Sequence, residues 1–187
     1  MAVTLLFGLV TFFYFLVLIP VYLWSTADSL WGGEDYVTDK KAVPVIAEIL
    51  TRRGLDSSLL LDLGSCRGKF AVQLARKLPK LRIVGIENAH FRVLFSKLRA
   101  PFLGSRVNFV YGDLYATDVS KADVVHAYLP QEYFESLGKK LRAEMKPGAL
   151  VLSYRVFFPD WEPVEVVQIP GEPPVEKVFV YQVASPI

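Results

Sequence analysis

Residues 58–78 read SLLLDLGSCRGKFAVQLARKL. An apolar run closes on Asp62 and Gly64. Two small residues and an arginine lead to Gly68, and a stretch that reads as helix follows. A tight glycine turn between an apolar strand and a helix is how open α/β sheets meet their ligands. Ligands bind at the carboxyl ends of the strands, where glycine lets backbone come close.

Outward from this turn the pattern repeats. Short apolar runs follow at RIVGIE, VNFVYGD, DVVHAYL and ALVLSYRV. Helix-like stretches at residues 69–78, 89–98 and 131–145 separate the first run from the second, the second from the third, and the fourth from the fifth. Continuous apolar strands alternating with helices mean a parallel sheet covered on both faces. Beyond them EPVEVVQIP and EKVFVYQV are joined by GEPP, which leaves no room for a crossover helix and predicts an antiparallel hairpin at the sheet edge. Upstream, Thr38 or Asp39 can cap a helix reaching about Arg53, with Gly54 ending it and Pro44 bending its first turn. The expected fold class is α/β: a Rossmann-like, mostly parallel sheet of seven strands with a C-terminal antiparallel hairpin, preceded by one N-terminal transmembrane helix.

That preceding helix rests on composition. Of 187 residues 52% are hydrophobic, and the mean hydropathy of +0.33 is high for a soluble domain. Most of the excess lies in residues 2–24, which contain no charged side chain. About 20 apolar residues suffice to cross a bilayer as a helix. Tyr22 and Trp24 stand at the end of the run, where amphipathic rings favour the headgroup layer. No Lys or Arg precedes it, which argues against a cleaved signal peptide. The expected organisation is an anchor at 1–24, a polar linker at 25–35 and a folded domain at 36–187. Lys40, Lys41, Arg52 and Arg53 favour the cytoplasmic side for that domain, or the matrix side in an organelle. The net charge of +2 is too mild for a nucleic-acid surface. One cysteine and two histidines exclude an internal disulfide and the usual zinc sets, so no metal is expected.

Three acids mark the ends of successive strands. Asp62 sits in the glycine turn, Glu87 ends RIVGIE, where a carboxylate can accept from two ribose hydroxyls, and Asp113 follows the third strand, where it can accept from an adenine amine. Together they describe an adenosine pocket. A dinucleotide fingerprint would need glycine at spacings zero, two and five. Those positions are Gly64, Cys66 and Lys69, so a pyrophosphate has no cradle. S-adenosylmethionine, an adenosine with a sulfonium and an amino-acid tail, needs none.

The segments DLGSCRGKF, GIEN, GDLY, KPGALVLSYRVFFPDWEP and VFVYQV together resemble the class I, seven-strand methyltransferases. More narrowly they are similar to the small protein-lysine methyltransferases that in animals modify the adenine nucleotide translocase and the c-subunit of ATP synthase. The resemblance covers residues 36–183, and FPDWEP followed by a terminal VFVYQV is its narrower part. It implies that Asp62, Gly64, Ser65, Cys66 and Gly68 wrap the methionine part of S-adenosylmethionine. It also implies that Glu87 holds the ribose with Asn88 beside it, and that Asp113 and Leu114 flank the adenine. Related enzymes mostly read glycine-aspartate where this chain has Cys66-Arg67.

Plainer readings stand beside these. Cys66 reads as a small packing residue, His126 as a satisfied core histidine, and GKKLRAEMK as the solvated face of a helix. Tyr128, at the end of the fourth strand, either positions a substrate lysine or simply packs. Tyr36 either covers the cofactor or packs, and Trp161 and Phe158 are either core or cage. A lysine amine needs an apolar, aromatic wall to be presented neutral, and Tyr36, Tyr128 and Trp161 are the candidates. The expected function is a membrane-anchored protein-lysine N-methyltransferase acting on a membrane protein, with the bilayer contacted through residues 2–24. The alternatives are methylation of a small or lipidic molecule, such as a quinone precursor or an amine headgroup, and a tethered binding protein without turnover.

Overall fold

The computed structural model describes residues 2–31, 36–171 and 175–184. The stretch at 58–78 forms strand β1 (Leu59–Leu63), the glycine turn and helix α4 (Lys69–Lys77). Strands β2 (Arg82–Glu87), β3 (Asn108–Tyr111), β4 (Val124–Ala127) and β5 (Leu150–Tyr154) join β1 in parallel register, and β7 (Lys177–Gln182) returns antiparallel beside β5. Strand β6 (Glu165–Gln168) pairs with the outer side of β7, giving the order β3-β2-β1-β4-β5-β7-β6. The expected seven strands and terminal hairpin are present, with the second hairpin strand placed inside the first.

Period-two alternation assigns the two faces. Leu60, Val124, Leu152, Val178 and Val180 face one layer, built by α3 (Ala42–Arg52), α4 and α5 (His90–Phe102). Leu61, Leu63, Val125, Val151 and Tyr181 face the other, covered by α6 (Phe134–Glu144). Both faces are apolar because both are covered. No helix joins β3 to β4, as the sequence pattern predicts. A helix-free crossover leaves the loop after β3 open over the carboxyl ends of the strands.

Helix boundaries differ from expectation where caps decide them. Helix α3 starts at Ala42 with Lys41 at the cap position rather than Thr38 or Asp39, because Asp39 Oδ1 accepts from the Lys41 N–H at 2.7 Å and turns the chain first. Pro44 falls in the first turn, where no intrahelical N–H bond is required. Gly54, at φ +69°, ends α3: its N–H bonds Thr51 O and Leu55 N–H reaches back to Leu50 O, a Schellman closure. Helix α5 continues to Phe102, past residue 98, and Gly104 closes it in the same way.

The N-terminal segment is helical through α1 (Ala2–Phe13), a π-turn (Tyr14–Leu18) and α2 (Ile19–Trp31). The π-turn precedes Pro20, which has no N–H for the carbonyl four residues back, so the ladder widens there. Residues 3–26 form a helix apolar and long enough to cross a membrane, with mean hydropathy 2.4 and no part buried in the protein. The expected linker begins as helix, since no Gly or Pro interrupts the chain between residues 21 and 31. Residues 32–35 of that linker lie outside the described residues.

Candidate functional site

The turn after β1 is shaped by backbone geometry. Gly64 and Gly68 sit at φ +74° and +67°, and a Cβ on Gly68 would lie 2.4 Å from the Phe109 ring. Between them Cys66 holds φ +48°, a left-handed value that costs a side chain about 1–2 kcal/mol. The N–H groups of Gly64 and Ser65 both bond Ile86 O, at 3.0 and 2.9 Å, tying the turn to β2. The Cys66 N–H donates to Glu87 Oε2 at 2.8 Å, and its thiol reaches Tyr36 O at 3.4 Å.

Glu87 is 4% exposed and central to this arrangement. Its Oε1 accepts from the Ala89 N–H at 3.1 Å and lies 3.7 Å from Arg92 Nη1. Burial raises its carboxyl above the ordinary glutamate range, while Arg92 and the N–H groups of Cys66, Ala89 and Asn88 pull it back. A carboxylate has about four acceptor positions. The N–H groups of Cys66, Ala89 and Asn88 occupy about three of these and leave Glu87 about one for a ligand hydroxyl in the cleft it lines.

That cleft has a cavity volume of about 240 Å³ and gathers Gly64, Cys66, Glu87, Asn88, Asp113 and Leu114, with Tyr36 on its wall. Asp113 follows β3, and its Oδ1 accepts from the N–H groups of Tyr115 and Ala116 in the turn it caps. An adjoining, narrower cleft shares Tyr36, Gly64 and Cys66 and adds Asp62, Ser65 and Tyr128. Asp62 is buried: Oδ2 accepts from the Ser65 hydroxyl at 2.8 Å, and Oδ1 lies 2.7 Å from His126 Nδ1. His126 stacks on Phe70 and its Nε2 meets Thr38 Oγ1 at 3.4 Å, so it is a satisfied core histidine.

Tyr128 packs edge-on against Tyr36 at 5.3 Å and against Tyr154 at 4.8 Å, forming an aromatic wall beside the second cleft. Trp161 stands elsewhere. It packs on Phe158 and Tyr181 on the α6 face, with the Arg142 guanidinium 5.4 Å over its ring, and lines neither cleft. The reason is topological: β7 lies between β5 and β6, and FPDWEP must cross from β5 over that face. Phe158 is buried in the same cluster. Sequence reasoning passed over Tyr115, Leu129, Pro130 and Tyr133, which line the first cleft together with Ile86, Arg92 and Gly112. All four follow strand ends, the position that nominated Glu87 and Asp113. Among the described residues no cluster of His, Cys, Asp and Glu suits a metal.

The residues present fit an adenosylated ligand: a turn without Cβ atoms at Gly64 and Gly68, a buried acceptor with capacity to spare, and a second acid at the far end. Comparison with known proteins agrees. Residues 62–165, more than half of the chain, match the ANTKMT methyltransferase domain family. A protein-lysine N-methyltransferase of Saccharolobus islandicus is 27% identical over 80% of this chain and 98% of its own length. The lysine N-methyltransferase of the ATP synthase c-subunit from Mus musculus is 29% identical over 67% of this chain and 49% of its own length. The crystal structure of an RNA methyltransferase from Salinibacter ruber with S-adenosyl-L-homocysteine superposes with a TM-score of 0.69 at 29% identity. It covers 81% of this chain and 95% of that one. Glycine turn, strand-end acids and reversed terminal hairpin thus have one source: the chain belongs to the ANTKMT methyltransferase family and is an S-adenosylmethionine-dependent methyltransferase.

Proposed function

We propose that this chain is a protein-lysine N-methyltransferase held in a membrane by residues 2–24, acting on a lysine of another membrane protein close to the bilayer surface. The observation that carries the reading is the Tyr36–Tyr128 pair beside the cleft. The likeness to a protein-lysine methyltransferase over nearly that protein's whole length supports it.

S-adenosylmethionine, when bound, supplies an electrophilic methyl group on its sulfonium. The turn at Asp62, Gly64, Ser65, Cys66 and Gly68 takes the methionine part, with Asp62 holding the turn's shape through Ser65. Glu87 accepts from the ribose hydroxyls with Asn88 beside it, and Asp113 and Leu114 border the adenine. A lysine with pKa near 10.4 is neutral only about once in 2,500 at pH 7, a deficit of about 4–5 kcal/mol. Tyr36 and Tyr128 reduce it by desolvating the ammonium, and their faces accept the methylated cation. Tyr128 also positions the amine in line with the methyl carbon, since alignment is most of what a direct displacement asks of an enzyme. The amine's proton leaves to water.

Membrane attachment is supported by a helix of 24 apolar-rich residues with none of its window buried. The cofactor is made in the cytosol, so the domain faces the cytoplasm, or the matrix in an organelle. Sharing a membrane with its target raises the effective concentration, so a pocket of low intrinsic affinity suffices. The test is mass spectrometry of membrane proteins, together with tritium labelling from S-adenosylmethionine, with and without the active chain. Methylated lysine in a membrane protein is the expected product. Label confined to organic-extractable lipids or quinones would give the site to a small-molecule substrate, and no label anywhere would leave a binding protein.

A further inference from the structure

Helix α5 carries its apolar side outward. Leu94, Phe95, Leu98 and Phe102 are 44, 42, 61 and 90% exposed, and half-buried Phe91 precedes them in the same row. At 3.6 residues per turn these five fall within an arc of about 100°. The arc facing the sheet holds Val93, Ser96 and Ala100, all buried, with a buried Arg92 at its edge. A helix on a globular domain ordinarily points its apolar stripe inward. Here both core-facing polar residues and solvent-facing aromatic ones break that rule, and a run of apolar surface this long marks an interaction site.

What covers it is indicated by its neighbours. Trp24, at the end of the apolar span, packs edge-on against Phe91 at 6.1 Å, so the row begins where that span ends. Residues 89–107 contain Arg92, Lys97, Arg99 and Arg106 and no acid. Exposed Lys97 and half-buried Arg99 flank the apolar arc on opposite sides, and the Arg99 guanidinium lies over the Phe95 ring at 5.6 Å. An apolar arc bordered by cations is the pattern of a helix lying in a headgroup layer that contains anionic lipid.

We infer that α5 is a second membrane contact, an interfacial helix that seats Leu94, Phe95, Leu98 and Phe102 in the bilayer surface beside the anchor. The inference rests on the reading of residues 2–24 as a membrane span. It fixes how the domain sits: the α5 layer is turned to the membrane and α6, on the opposite face of the sheet, away from it. Two points then hold the domain, so the mouth of the cleft keeps a constant height above the lipid.

The full chain is reconstituted in vesicles of phosphatidylcholine and phosphatidylglycerol. An environment-sensitive fluorophore is attached at Leu98→Cys, at Phe102→Cys, or at Ala143→Cys on α6, all exposed positions. Buried Cys66 stays unlabelled under native conditions, and the unsubstituted chain gives the background. The expected result is blue-shifted emission at 98 and 102, quenched by lipids bearing a nitroxide on the acyl chain, with water-like, unquenched emission at 143. Carbonate-resistant flotation with water-like emission at 98 and 102 would overturn the α5 contact and leave the anchor standing. Failure to float would remove both. Blue-shifted emission without nitroxide quenching would mean that a protein surface, such as a second copy of the chain, covers α5, and would overturn the lipid assignment.

Discussion

Replacing Glu87 with alanine tests the centre of the site. The side chain is 4% exposed and receives the N–H groups of Cys66 at 2.8 Å and Ala89 at 3.1 Å. The variant therefore loses both the ligand's acceptor and a brace of the turn. Losing hydrogen bonds to one charged acceptor costs about 1.5–3 kcal/mol, which is roughly 10- to 150-fold in Kd. Titration calorimetry with S-adenosyl-L-homocysteine measures it, after thermal unfolding has shown that the variant folds. The loss must also be tied to the ribose. The parent should discriminate by a similar factor against a 2′,3′-dideoxy analogue, and the Glu87→Ala variant should bind both ligands equally. A folded variant that still prefers the natural ligand as strongly as the parent does would refute the ribose assignment. The pH dependence carries the same sign. Burial raises the Glu87 carboxyl above the ordinary glutamate range, so on acidification it protonates earlier and loses the charge that accepts from the diol. Affinity should be flat at neutral and alkaline pH and weaken as pH falls through that raised value, and Glu87→Gln should abolish this dependence.

Two further substitutions separate fold from site. Gly68→Ala places a Cβ 2.4 Å from the Phe109 ring at φ +67°. It should destabilise the domain by about 2–5 kcal/mol, read as a shift in the denaturation midpoint at unchanged m. Trp161→Ala removes a half-buried ring from Phe158, Tyr181 and Arg142. It should cost about 2–4 kcal/mol of stability and leave the KM for the methyl acceptor unchanged. A raised KM in a stable Trp161→Ala variant would return that residue to the substrate wall.

What depends on periodicity and on chain order was legible along the chain. Five continuous apolar runs, with helices in three of the four gaps between them, bury both faces as a parallel sheet, and a parallel sheet brings all its carboxyl ends to one edge. Asp62, Glu87 and Asp113 could therefore be placed together before any distance was known. The glycines of the turn were legible for the same local reason, since left-handed backbone is what glycine tolerates. Tertiary structure decided what depends on which surfaces meet. Tyr36 reaches the cleft because the segment before α3 crosses the ends of β1 and β4, where Thr38 meets His126 and Cys66 meets the Tyr36 carbonyl. Trp161 misses it because β7 enters between β5 and β6, so FPDWEP, which links those two strands, crosses over the α6 face. The outward apolar row of α5 belongs to the same class. Its residues read as an ordinary amphipathic helix until the sheet selects the face holding Val93, Ser96 and Ala100 and leaves the other to its surroundings. A side chain's periodicity is written along the chain, but the surface that side chain is pressed against is set only when distant segments pack.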